Sequence, residues 1–343
     1  MLVLALALGG SIAYFVAAPG KGTHRPAPSS SDPSSSTTTP PKAQPINGVG
    51  LLTEQVAEAN VNMCPPDQAC VPRTYTLDIY YPSTSTNASG LAGVPLSRPL
   101  VPYPVIVFGE GFDQMPSSYL PLIDAWVHEG YVVASPIFPL TSTQGLENYG
   151  VDLGDMSLAD AYENDLVNEP RDMSFALNEL EALSTQSGSL LANEIDPAAA
   201  AAIGQSDGGD ATLALVDNSC CIDSRFKAAV VLSGAEFPGF SGTYFGGAGV
   251  PLLVVQGTAD TVNPPSLSDQ IYASAPSPKA YLTLLGADHL VAYTQSSTYE
   301  GVVAKVTADF LNGYLRGDAG AISNLASDGS VGGTSSIALS LGS

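Results

Sequence analysis

Six short, almost uninterrupted apolar runs constrain this chain more than any other feature. They lie at residues 105–108, 131–134, 198–203, 227–232, 251–255 and 280–285. Runs this short, bounded by Gly, Pro or polar residues, suit strands buried on both faces rather than helices. Segments with helical spacing stand between them. In 117–129, Tyr119, Leu122, Ile123, Trp126 and Val127 share one stripe; in 171–183, Met173, Ala176, Leu177, Leu180 and Leu183 do the same. Further helices are expected at 211–216 and 301–314, an alternating half-exposed strand at 73–81, and a loop at 82–102. Apolar strands alternating with amphipathic helices predict an α/β fold, a mostly parallel central sheet with helices on both faces. There is no internal repeat and no sign of a second core.

Charge narrows the function classes. The 343 residues carry 11 Lys plus Arg and 33 Asp plus Glu, a net charge of −22. Residues 1–46 hold Lys21, Arg25, Lys42 and a single acid, Asp32. Setting these aside leaves 8 basic and 32 acidic side chains, so the body carries −24. A surface of that sign argues against nucleic-acid binding, which needs Lys and Arg on phosphates. With 45% hydrophobic and 13% charged residues, the chain builds a core rather than staying disordered.

The first 46 residues read differently. Residues 1–18 have no charged side chain and suit either a signal peptide or a membrane anchor. Val16 and Ala18 favour cleavage, and Pro19 opposes it. Residues 19–46 contain 7 Pro and 10 Ser or Thr, the composition of a disordered stalk. A single α/β domain would then span 47–317, with 318–343, rich in Gly, Ser and Ala, a flexible tail. An apolar leader, a spacer and four cysteines point to a location outside the cytoplasm. Cys64 and Cys70 form the first pair expected, with Cys220 and Cys221 vicinal or reduced; four cysteines allow three pairings. Neither pair has zinc-ligand spacing.

The segment Gly204-Gln205-Ser206-Asp207-Gly208 follows an apolar strand and precedes a helix. That is the setting of a G-x-S-x-G elbow, in which a tight strand-to-helix turn exposes a serine nucleophile. Such a serine needs a base. Of three histidines, His24 lies in the stalk and His128 at a helix end, whereas His289 follows a late strand, where the loops of an open α/β sheet converge. Asp260 ends the loop after the strand at 251–255 and completes the order Ser, Asp, His. Asp288 and Glu236 are weaker rivals. The glycine turn Gly109-Glu110-Gly111-Phe112 offers the Phe112 N–H as an oxyanion donor, paired with the Asp207 N–H at the start of the next helix.

With these residues the chain resembles the α/β-hydrolase family. More narrowly it is similar to capless secreted esterases of the dienelactone hydrolase, platelet-activating-factor acetylhydrolase and cutinase-like polyester hydrolase group. The resemblance covers roughly 72–316. It rests on 73–82, 104–136, Arg171-Asp172-Met173-Ser174-Phe175, the Ser206 elbow, 257–260 and 286–290. It implies Ser206 as nucleophile, Asp260 and His289 as its partners, Phe112 and Asp207 as backbone oxyanion donors, and no metal or organic cofactor. The implied reaction is hydrolysis of a carboxylic ester, small or polymeric, through an acyl-enzyme. Two departures stand out. Glu110 occupies a position where relatives carry His, which would put a carboxylate beside the oxyanion site unless it points away. Asp207 would add a second acid at the mouth, so a neutral ester is expected. A serine peptidase on the same fold and a non-catalytic surface protein with a decayed oxyanion hole remain as alternatives. Tyr162, Phe237, Phe240, Tyr244 and Phe245 are candidate pocket aromatics.

Overall fold

The computed structural model describes residues 42–247 and 249–342. The expected signal peptide or anchor at 1–18 and nearly all of the stalk lie outside them. Among the described residues no helix is long and apolar enough to cross a membrane.

The chain enters through a long hairpin, β1 (Gly48–Met63) and β2 (Val71–Ser83), closed at its tip by the Cys64–Cys70 disulfide. A two-residue strand, β3 (Leu91–Ala92), precedes β4 (Tyr103–Gly109), α1 (Leu120–His128) and β5 (Val132–Pro136). Two short helices follow, α2 (Thr143–Tyr149) and α3 (Met156–Glu163), then the longer α4 (Glu169–Thr185). Next come β6 (Ile195–Gln205), α5 (Asp207–Asp217), β7 (Phe226–Leu232) and β8 (Leu252–Gly257). The last third holds α6 (Pro265–Ser274), β9 (Lys279–Leu284), α7 (Val291–Thr294), α8 (Thr298–Arg316), α9 (Ala319–Asp328) and β10 (Ser335–Ser340).

All ten strands form one sheet in the order β10-β9-β8-β7-β6-β4-β5-β2-β1-β3. The run from β5 to β9 is parallel, and β10, β2 and β1 join antiparallel. This is an α/β-hydrolase fold, and its sequence logic is visible in β4. Strand side chains alternate between faces. Val105 and Val107 therefore pack on one side with Met173, Leu177 and Leu180 of α4, while Ile106 and Phe108 pack on the other with Trp126 of α1 and Phe310 of α8. Both faces are covered, so β4 and β8 are buried along their whole length.

Arg73 anchors the entering hairpin to the helical layer. Its guanidinium is fully buried and donates from Nε and Nη2 to Asp172 at 2.6 and 2.5 Å. Nη1 lies 2.9 Å from Asp165, outside hydrogen-bonding geometry. Removing one member of a buried pair leaves the other uncompensated, at a cost of about 3–5 kcal/mol. The chain thus holds β2 against α4 with a polar joint inside an otherwise apolar layer.

One sequence expectation needs correction. Residues 318–343 are not a flexible tail: 319–328 form α9, and 335–340 form β10, paired with β9 from Ser335↔Leu284 to Ser340↔Lys279. Small residues dilute the composition there, but the apolar ones fall on usable positions. Ala321 and Leu325 recur at helical spacing and are buried, while Ile337 and Leu339 alternate onto the core. Asp318 caps the helix by accepting from the N–H groups of Gly320 and Ala321. The domain also begins with a strand, β1, which weak alternation and many exposed polar residues obscured. Cys220 and Cys221 form a vicinal disulfide between α5 and β7. Because Leu325 is fully buried, Leu325→Ala is expected to lower unfolding stability by about 2–5 kcal/mol. A urea midpoint equal to wild type would contradict the packing of the C-terminal segment.

Candidate active site

Ser206 stands between the last residue of β6 and the first of α5, with φ 54° and ψ −123°. A non-glycine residue in this region is strained by about 1–3 kcal/mol. Close backbone packing holds it there. A Cβ on Gly204 would run into the Gly208 carbonyl, and one on Gly208 would meet the carbonyls of Gly109 and Glu110. The two glycines of the motif thus let the ends of β4 and β6 close on the start of α5. The Ser206 N–H donates to the Leu232 carbonyl at 2.9 Å, tying the turn to β7 as well.

The structure brings Ser206, His289 and Asp260 together. Ser206 Oγ lies 2.9 Å from His289 Nε2, and His289 Nδ1 lies 2.8 Å from Asp260 Oδ2. The two supporting loops touch, since a Cβ on Gly257 would collide with the Ala287 carbonyl. Asp260 is buried, and its acceptor positions are filled. Oδ1 takes the N–H groups of Val262 and Asn263 at 3.0 and 2.9 Å, and Oδ2 also takes Gln256 Nε2 at 3.1 Å. Burial pushes this carboxyl up. The hydrogen bond and charge of His289, with the Asn263 and Gln256 donors, outweigh burial and hold it below the usual carboxylate range. An ionised Asp260 on Nδ1 leaves Nε2 as the acceptor facing the serine hydroxyl. The rival Asp288 instead accepts from the backbone of Leu290 and Val291. His128 is exposed at the end of α1, with Nδ1 on the Asp124 carbonyl.

The glycine turn after β4 lies against this elbow. A Cβ on Gly111 would sit 2.7 Å from Gln205 Oε1 and 3.1 Å from Ser206 Cβ. The N–H of Gly111 donates to Tyr119 Oη, and that of Asp113 to the Thr141 carbonyl. Among the described residues, the N–H groups of Phe112 and Asp207 have no protein acceptor. The Phe112 ring leans on a small cluster of Met63, Leu140, Leu146 and Tyr162, which fixes the turn from outside.

Both acids expected at the mouth are withdrawn from it. Glu110 is fully buried and turned away, with Oε1 accepting the Phe138 N–H at 2.9 Å and Oε2 without a partner. Burial pushes its carboxyl up to about 8, so it is largely neutral at physiological pH and places no anion beside the turn. Asp207 is only 7% exposed. Burial, then the charge of Glu163, raise its carboxyl as well. The expectation of an acidic mouth is therefore corrected, because these side chains point into protein. The candidate aromatics mostly pack: Tyr162 and Phe240 are buried, and Phe237 stands edge-on to Phe240 at 5.7 Å.

Several polar residues around the site have roles that no motif reports. Gln256 and Asn263 support Asp260, and Ser268 donates to Gln256 Oε1 at 2.6 Å. Gln205 and Tyr119 lie behind Ser206. The one available signal was a glutamine closing an otherwise apolar strand, Ala-Ala-Ile-Gly-Gln.

Glu110 makes stability depend on pH. Its folded carboxyl titrates near 8, against 4.5 for an ordinary glutamate. Between these values the unfolded chain has released a proton that the folded chain keeps, so stability falls as pH rises through the window. Tm is expected to decline from pH 5 to pH 8, and Glu110→Gln to flatten the decline. Melts of the variant with an unchanged slope would rule out this role.

A family model described as PETase, PET hydrolase-like, matches residues 164–330. That stretch contains Ser206, Asp260 and His289 but not the 109–112 turn. No curated protein matches the chain. The chain is thus an α/β-hydrolase by fold, and over residues 164–330 it is similar to the PET hydrolase-like family.

Proposed function

We propose that this protein is a serine carboxylic-ester hydrolase that works through an acyl-enzyme outside the cytoplasm. The observation that carries the reading is the unbroken chain Ser206 Oγ, His289 Nε2, His289 Nδ1 and Asp260 Oδ2, with contacts of 2.9 and 2.8 Å on an elbow at φ 54°. Ser206 Oγ attacks the ester carbonyl carbon while its proton passes to His289 Nε2. Asp260 stabilises the resulting imidazolium. The carbonyl oxygen becomes an oxyanion and takes the N–H groups of Phe112 and Asp207, the latter at the positive end of α5. Collapse breaks the ester C–O bond, and the departing alkoxide takes the proton from His289. Water then attacks the acyl-enzyme by the same route, releasing the acid and restoring Ser206.

The PET hydrolase-like match supports an ester bond as the target and a polyester as one candidate substrate. The buried, turned-away Glu110 weighs against a decayed oxyanion hole. The two disulfides support an oxidising compartment.

Ser206→Ala is expected to lower kcat on short p-nitrophenyl esters by about 10⁴–10⁶-fold and to abolish labelling by a fluorophosphonate. Asp260→Asn should lose about 10⁴-fold with the fold intact. Wild-type-like turnover by Ser206→Ala would sink the assignment, and a panel of small esters and polyester films would rank the substrates.

A further inference from the structure

Gln205 has no part in the reaction just described, yet it is wholly buried among the groups that do. Its Oε1 accepts from Tyr119 Oη at 2.7 Å. Its Nε2 donates to the backbone carbonyl of His289 at 3.1 Å and lies 3.3 Å from His289 Nε2. Tyr119 Oη in turn accepts the Gly111 N–H at 3.2 Å. A continuous path of hydrogen bonds therefore runs from the turn that presents the Phe112 N–H to the loop that presents the imidazole, passing behind Ser206.

The direction of the path is fixed by chemistry. A backbone carbonyl only accepts, so the amide nitrogen must face His289. Tyr119 receives the Gly111 N–H and keeps its own proton to give, so the amide oxygen must face Tyr119. Tyr119 is itself immobilised, fully buried with its ring edge-on to Phe108 at 4.9 Å. The sheet itself asks for no polar side chain at the end of β6, where Gly204 precedes Gln205 and Leu232 of β7 pairs with it. A side chain that can bridge two loops is what the position holds instead.

We propose that Gln205 is a positioning residue that, through Tyr119, holds the Gly111–Phe112 turn and the His289 loop in one register around Ser206. The proposal rests on the serine-hydrolase reading. The two loops follow different strands, β4 and β9, which are not neighbours in the sheet. Backbone pairing connects them only through β6, β7 and β8, whereas the glutamine bridges their loops directly. Misplacement of either loop by about an ångström is enough to lower turnover 10²-fold.

The test is a double-mutant cycle with Gln205→Met, which keeps the volume, and Tyr119→Phe, which keeps the ring. Activities on p-nitrophenyl butyrate are scaled to the active fraction by burst titration. Gln205→Met is expected to lower kcat about 10–100-fold with KM changed less than about threefold, and fluorophosphonate labelling to slow in parallel. Tyr119→Phe should lower kcat in the same way, and the double variant should lose no more than Gln205→Met alone, because one path is cut twice. If Gln205→Met fails to fold, Tyr119→Phe alone decides. A kcat within twofold of wild type in either single variant, a loss carried by KM, or losses that multiply in the double variant would each overturn the proposal. An inactive wild type, or an active Ser206→Ala, would instead overturn the hydrolase reading.

Discussion

The close approach of three backbones around Ser206 is the constraint on which the rest of the site depends. The ends of β4 and β6 meet the first turn of α5 so tightly that Gly204 and Gly208 have no room for a methyl group. That contact forces Ser206 into positive φ and aims its hydroxyl away from the sheet. It also sets the Gly111 turn beside it, so the serine and the turn share one rigid support. The strain is maintained by the surroundings: β7 receives the Ser206 N–H, and both core layers clamp β4 and β6 from their two faces. A site held this way starts from a fixed geometry rather than assembling when substrate arrives.

The formal charge of −22 overstates how negative the molecule is near the site. Glu110, Glu169, Asp207 and Asp210 are all buried, and burial raises each carboxyl above its ordinary range. The charge on Asp207 raises Glu169 further. Asp210 has a positioning task, because its Oδ1 accepts the Ala235 N–H and fastens the loop after β7. Acids buried near the start of α5 sit where the helix dipole favours negative charge, which partly offsets desolvation. The exposed acids remain as a solubilising coat.

How much of this was legible in the sequence depended on pattern strength. Strands with unbroken apolar runs, such as 105–108 and 251–255, announced themselves because both of their faces are covered. The elbow was legible because a short local motif encodes its backbone geometry, and only three histidines competed for the role of its partner. β1 was not legible. It is paired only with β2 and the short β3, and its exposed polar positions blur the alternation. β10 was hidden because an edge strand needs apolar residues on one face alone, and Ile337 and Leu339 are few among Ser and Ala. The orientation of Glu110 and the bridge through Gln205 depend on atoms brought together from distant parts of the chain, and no local spacing reports them.

The C-terminal strand has a consequence for the order in which the molecule can be completed. β10 closes the edge of β9, and the Leu285 N–H, at the start of the His289 loop, donates to the Thr334 carbonyl. During synthesis Ser206 and Asp260 emerge long before residues 334–340. Until those residues arrive, β9 is an open edge and the loop bearing His289 lacks its outer pin. A nascent chain is therefore exposed to edge-to-edge association in the interval between the emergence of β9 and of β10, when its core strands are already available for pairing. Residues 334–340 act as a latch that covers that edge and seats the last loop of the site.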